Sequence, residues 1–252
     1  MEEILGDGRW LAHRFDYDSG RYQFVFMPRE EHRRTSFLTD HFIAPDRPRR
    51  TLERSAATAA AKPRVPLHFI FHSGLACSTL LARALDEEGV AMTLKEPAIL
   101  SDVVGYRLRT RRREELDRAL DDALAMLARP LVPGEPLIAK VASVGNGLAQ
   151  RALEGRPDSQ AICLHAPLPV FLASIARKQL VGRLWGRKLF VGLRNAGMID
   201  LGFSDSDYFK QTDLQVAAMA WVAQQLMFVK LVERFGPDRV RTIDSETLME
   251  RP

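Results

Sequence analysis

The stretch "FIFHSGLACSTLLARALDEEG" (69–89) decides how the rest of the chain is read. An apolar run stops at a loop of small residues, and a Ser-Thr pair then opens a leucine-rich helix expected to end at Gly89. The first backbone N–H groups of a helix have no partner inside it. Together with the helix dipole they attract anions. Gly74 and Ala76 leave room for close approach, and Ser73, Ser78 and Thr79 can offer hydroxyls. The loop from His72 through Leu75 and Cys77 to Thr79 therefore suits a phosphate-like oxyacid. It is not a Walker A loop, because Cys77 stands where that motif places its lysine. Taken alone, the stretch is equally compatible with an ordinary strand-to-helix turn with a serine cap.

Downstream, apolar strands alternate with helices. Strands are expected over 67–72, 90–97, 136–143, 161–167 and 240–244, and helices over 78–88, 113–129, 169–180 and 213–236. This alternation predicts a parallel sheet covered on both faces, a three-layer α/β/α domain over 67–252. In such sheets ligands sit beyond the carboxyl ends of the strands. Residues 1–45 differ: "RWLAHRFDY" and "RYQFVFMP" around the turn "DSG" predict a hairpin, a small β-containing extension. The proline-bounded, alanine-rich stretch 46–66 is expected to be a linker with a short helix.

Composition narrows the class of protein. In 252 residues, 46% are hydrophobic and 27% charged, as in a globular protein with a sizeable core. A net charge of +4 suits an anionic small-molecule ligand without demanding nucleic acid. The two cysteines, Cys77 and Cys163, lie in or beside apolar runs, which predicts reduced thiols and a cytoplasmic protein. No metal-ligand spacing is present. The start "MEEILGDGRW" lacks the apolar core of a signal peptide, and no apolar stretch approaches a membrane span.

Other residues collect at the predicted ligand edge. Lys95 and Glu96 close the second strand, as a functional carboxylate or as a Lys–Glu surface pair. Lys140 is a cation in an apolar strand, which must leave the sheet edge or meet an anion; Ser143 and Asn146 follow it. The basic run 106–115 is read as a solvated helix start balanced by following acids. Trp185, Trp221 and Met227 are read as packing residues, with adenine stacking the other reading for Trp185.

The loop resembles the 5′-phosphosulfate loop of the P-loop sulfotransferases, in a divergent bacterial-type form. In that family a basic residue precedes Ser-Gly and Ser/Thr residues leading into a Leu-rich helix, matched here by His72, Ser73, Gly74, Ser78 and Thr79. The family's usual Lys or Arg is His72. "LHAPLPVFLASIARK" resembles the second signature, which holds the 3′-phosphate: Ser174 matches its serine, and His165 or Arg177 would replace the missing Arg. The resemblance covers Leu67 onward and implies PAPS (3′-phosphoadenosine 5′-phosphosulfate) as donor, adenosine 3′,5′-bisphosphate as product, and transfer to a hydroxyl or amine of a small-molecule acceptor. It makes Glu96 the general base, and protonated His72 or Lys140 the group that steadies charge on the bridging oxygen. The extension would cover the acceptor site or mediate homodimerisation; members of the family normally continue with another helix where this sequence stops at Pro252, as a truncated or a naturally short version. The rival readings are an ATP-dependent small-molecule kinase and a non-catalytic nucleotide-binding or scaffold protein on the same fold.

Overall fold

The computed structural model describes residues 2–60, 65–107, 109–110 and 112–250. Three antiparallel strands open the chain, β1 (Trp10–Asp16), β2 (Arg21–Phe26) and β3 (Arg49–Glu53), in the order β1-β2-β3. Five more follow: β4 (Leu67–His72), β5 (Met92–Lys95), β6 (Leu137–Lys140), β7 (Ala161–His165) and β8 (Val240–Asp244). They form one parallel sheet in the order β5-β6-β4-β7-β8. Five of the six residues of β4, "LHFIFH", are buried, as expected where helices cover both faces.

By contacts the chain divides into two units, Met1–Ile70 with Thr79–Gln160, and Phe71–Ser78 with Ala161–Pro252. This differs from the division into extension, linker and domain drawn from the sequence. In the first unit, buried ions bind residues 1–45 to the α/β segment. Arg29 donates to Glu135 at 2.7 and 2.8 Å and to Asp86 at 2.8 Å. The Arg129 guanidinium donates to the carbonyls of Ile4 and Met126, each at 2.9 Å, and to that of Trp10. Lys95 donates to the carbonyls of His32 at 2.6 Å and Arg33 at 3.1 Å, at the end of the helix Arg29–Arg34. Buried charges persist only when satisfied in this way.

The 46–66 stretch, expected to be a linker, contains β3 and the helix Arg54–Ala60; residues 61–64 lie outside the described ones. β3 is an edge strand with its charges outward, a pattern with no strong apolar signal. The helix expected over 78–88 ends at Ala84. The acids that follow oppose a helix C-terminus, and Asp86 is taken by Arg29 while Glu87 bridges Ala91. Of the basic run 106–115, Leu108 and Arg111 lie outside the described residues; Arg112 pairs with Glu115 at 2.6 Å. The end of the chain at Pro252 also lies outside them.

In the second unit the helices are Leu168–Arg177, Gln179–Asn195 and Asp213–Phe235. The first, expected to reach Leu180, stops at Arg177, and Gln179 turns the chain with φ +50°. Gly182 packs so closely here that a Cβ would lie 2.3 Å from the Ile175 carbonyl oxygen. A capping box of Thr212 and Gln215 starts Asp213–Phe235. Among the described residues this helix alone is long and apolar enough to cross a membrane by length and composition, against the expectation of none. In the fold it is a core helix, burying Val216, Ala220, Phe228 and Leu231.

Candidate functional site

The loop after β4 takes an unusual backbone path. Gly74 has φ +80°, Leu75 φ +53° and Cys77 φ +58°. For the two non-glycine residues this left-handed region costs about 1–2 kcal/mol each. Ser73, fully buried, holds the path. Its N–H donates to the Leu164 carbonyl at 3.0 Å. Its hydroxyl accepts from the Ala166 N–H at 3.3 Å and donates to the Gly74 carbonyl at 3.2 Å. Its own carbonyl accepts from Gln224 at 3.2 Å. The Ser73 side chain thus shapes the turn.

The amides of Leu75, Ala76 and Cys77 have no hydrogen-bond partner among the described residues, although Ala76 is buried. Successive N–H groups bent through left-handed residues form a concave anion site. The helix Ser78–Ala84 has only seven residues, so this capacity rests chiefly on the loop itself. Cys77 is exposed and Cys163 buried, both as free thiols.

His72 is 5% exposed, and its Nδ1 accepts the Gly74 N–H at 3.1 Å. An accepting Nδ1 carries no hydrogen, so the ring is the neutral tautomer with hydrogen on Nε2. At the end of β7, His165 has a buried Nδ1 without a partner among the described residues. Burial pulls its pKa below the ordinary histidine value against the pull of Asp244. Ser174 is half-buried in Leu168–Arg177, and Arg177 is exposed at that helix's end, its Nε donating to the Ala173 carbonyl. Loop and β7 end are joined through Ser73 and Ala166.

The first unit carries the other group of candidates. Lys140, 1% exposed, donates to Glu96 Oε1 at 2.6 Å and to the Thr79 hydroxyl at 3.2 Å. Its ammonium stands 4.6 Å from the Phe37 ring centroid, a cation–π contact. Burial lowers the Lys140 pKa, and Glu96 opposes that. Glu96 has φ +53°, and its N–H donates to the Lys140 carbonyl at 2.7 Å. The anion that Lys140 was expected to meet is therefore Glu96. Lys95 forms no surface pair with Glu96: it is buried at the helix end, its pKa lowered to about 8 by burial. Ser143 and Asn146 are buried in the 3-10 turn Ser143–Leu148.

Three further placements were less legible. Phe37 reaches Lys140 because Leu38 pairs with the end of β5, donating to the Lys95 carbonyl at 2.7 Å and accepting from Ala98 at 3.0 Å; only its place in an aromatic-bearing loop hinted at this. Gln224 signalled itself only as a polar residue on an apolar helix face. Trp185 packs on Phe171 with ring centroids 6.2 Å apart, and Trp221, half-buried, donates to the Ala166 carbonyl at 2.8 Å. Among the described residues no group of three His, Cys, Asp or Glu side chains is placed to hold a metal ion.

A parallel five-stranded sheet flanked by helices, with a tight turn of left-handed residues after its middle strand, is a P-loop-like α/β fold. No protein-family model and no curated protein matches the chain. Solved structures similar to it include two sulfotransferases. One is a sulfotransferase domain from the curacin biosynthetic pathway, 15% identical with a TM-score of 0.47, covering 75% of this chain and 70% of that one. The other is a sulfotransferase from Alicyclobacillus acidocaldarius, 18% identical with a TM-score of 0.38, covering 76% of each chain.

Proposed function

We propose that the protein transfers a sulfuryl group from PAPS to a hydroxyl or amine of a small acceptor. The observation that carries this reading is the turn 74–77, with its strained backbone, its unsatisfied amides and no lysine of its own. The amides of Leu75, Ala76 and Cys77 would hold the 5′-phosphosulfate, with the hydroxyls of Ser78 and Thr79 beside them. Ser174, His165 and Arg177 would hold the 3′-phosphate, with the orphaned Nδ1 of His165 available once a ligand supplies the matching charge.

Transfer itself needs a base and a cation. The acceptor oxygen or nitrogen attacks sulfur, the bond from sulfur to the bridging oxygen breaks, and its electron pair stays on the adenosine bisphosphate. Glu96 takes the acceptor proton. Lys140 offsets negative charge on the bridging oxygen. It is anchored on Thr79, the residue that follows the loop in the chain. In the ligand-free arrangement Lys140 and Glu96 neutralise each other. A donor that draws Lys140 away leaves Glu96 free to act as a base.

Calorimetric titration with adenosine 3′,5′-bisphosphate and with ATP tests the reading. Tight binding of the bisphosphate and weak binding of ATP supports it. ATP preference points to the kinase, and binding of neither points to the scaffold. Ser174→Ala should weaken the bisphosphate about tenfold, the loss of one charge-assisted hydrogen bond; unchanged affinity removes Ser174 from the site.

A further inference from the structure

The helix Gln179–Asn195 buries Gly182, Gly186, Leu189, Phe190 and Leu193. Its outer side carries Arg183, Lys188 and Arg194, with Arg187 between Leu184 and Val191, yet four large apolar residues stand exposed among them. Leu180 is 67% exposed, Leu184 51% and Val191 53%, and Val181 beside them is 75% exposed. Positions 180, 184 and 191 fall on one stripe of a helix.

The surroundings are cationic. The segment 177–199 contains no Asp or Glu but has Arg177, Lys178, Arg183, Arg187, Lys188 and Arg194. Arg187 pairs with Asp213 at 2.5 Å, and Arg194 pairs with Asp205. Arg183 and Lys188 have no acidic partner among the described residues. At about 100° per residue they flank the stripe, one on each side.

We infer that this helix rests on an anionic lipid surface, which goes beyond the proposed transferase reaction. The leucine and valine stripe enters the boundary between headgroups and acyl chains, and Arg183 and Lys188 meet the lipid phosphates. Charge complementarity selects this occupant. A second copy docked on the same face by two-fold symmetry would bring the unpaired Arg183 and Lys188 of both copies to one seam. Nucleic acid would satisfy the cations but leave the stripe in water.

Flotation of the full chain with vesicles tests this. It is expected to float with phosphatidylcholine vesicles containing phosphatidylglycerol and to remain behind with phosphatidylcholine alone. Leu184→Glu should lower the bound fraction at least tenfold. Arg183→Gln with Lys188→Gln should lower it about thirtyfold, at roughly fivefold per cation. All three positions are exposed, so unchanged melting curves certify the fold. Absence of flotation, equal flotation on neutral vesicles, indifference to both variants, or a dimer that Leu184→Glu splits would each overturn the inference. None of these positions belongs to the donor or acceptor set. Bisphosphate titration of the same variants therefore separates a failed lipid contact from a failed transferase assignment.

Discussion

The Lys140–Glu96 pair admits a quantitative test through Glu96→Gln, Lys140→Met and the double variant. At 2.6 Å and an effective dielectric of about 20, the gross attraction is ~6 kcal/mol. Against it stands the burial of Lys140, large enough to keep its pKa below the ordinary lysine value despite the carboxylate. Glu96 retains 22% exposure, so part of its charge is screened by water. The remaining coupling should be about 2–3 kcal/mol, near the upper end of what contacting residues show. Glu96→Gln alone should cost about 3 kcal/mol, because it strands a buried ammonium on Thr79 and Phe37. Lys140→Met should cost less, since Glu96 can turn to solvent. Urea unfolding of all four proteins at constant m-value gives the coupling. A value below about 0.5 kcal/mol would show that the pair does not hold the site, and the account of Glu96 as a base masked by Lys140 would fail with it.

Three further outcomes follow from buried or strained groups. His32 is buried with neither ring nitrogen paired among the described residues, and burial lowers its pKa to about 3 from the unfolded 6.5. A depressed histidine keeps its stability above pH 6.5 and loses it as pH falls toward 3, by up to about 5 kcal/mol. His32→Phe should therefore flatten acid unfolding followed by circular dichroism over that window; an unchanged slope refutes the assignment. Lys95, at about 8 folded and 10.5 unfolded, should make stability rise from pH 8 to about 10, and Lys95→Met should remove that rise in urea titrations at stepped pH. Gly74→Ala, at φ +80°, should cost about 1–2 kcal/mol and weaken bisphosphate binding, whereas binding at full strength would show that the turn does not need its left-handed start.

The parallel sheet was legible because β4, β6 and β7 are short apolar runs, each closed by a loop and a periodic helix. The loop 72–79 was legible as a place, by its small residues, but not as a geometry. Nothing local announces that Leu75 and Cys77 adopt positive φ, since that path is imposed by Ser73 and by Gln224, 151 positions away. Glu96 and Lys140 were legible as out-of-place ions, but their pairing depends on parallel register, which sets Lys95 opposite Lys140. β3 was hidden because its apolar content is one leucine, and the helix Gln179–Asn195 because exposed leucines and valines interrupt its polar side.

The buried ions of the first unit bear on how the protein can be trimmed. A fragment beginning at Leu67 keeps Asp86, Lys95, Arg129 and Glu135 while discarding Arg29, the carbonyls of His32 and Arg33, and those of Ile4 and Trp10. Four ions sunk in protein would then lose the counterparts that make their seclusion tolerable. Such a shortened product should emerge from expression as inclusion bodies rather than as a folded domain, so the leading 66 residues belong in any preparation meant for assay.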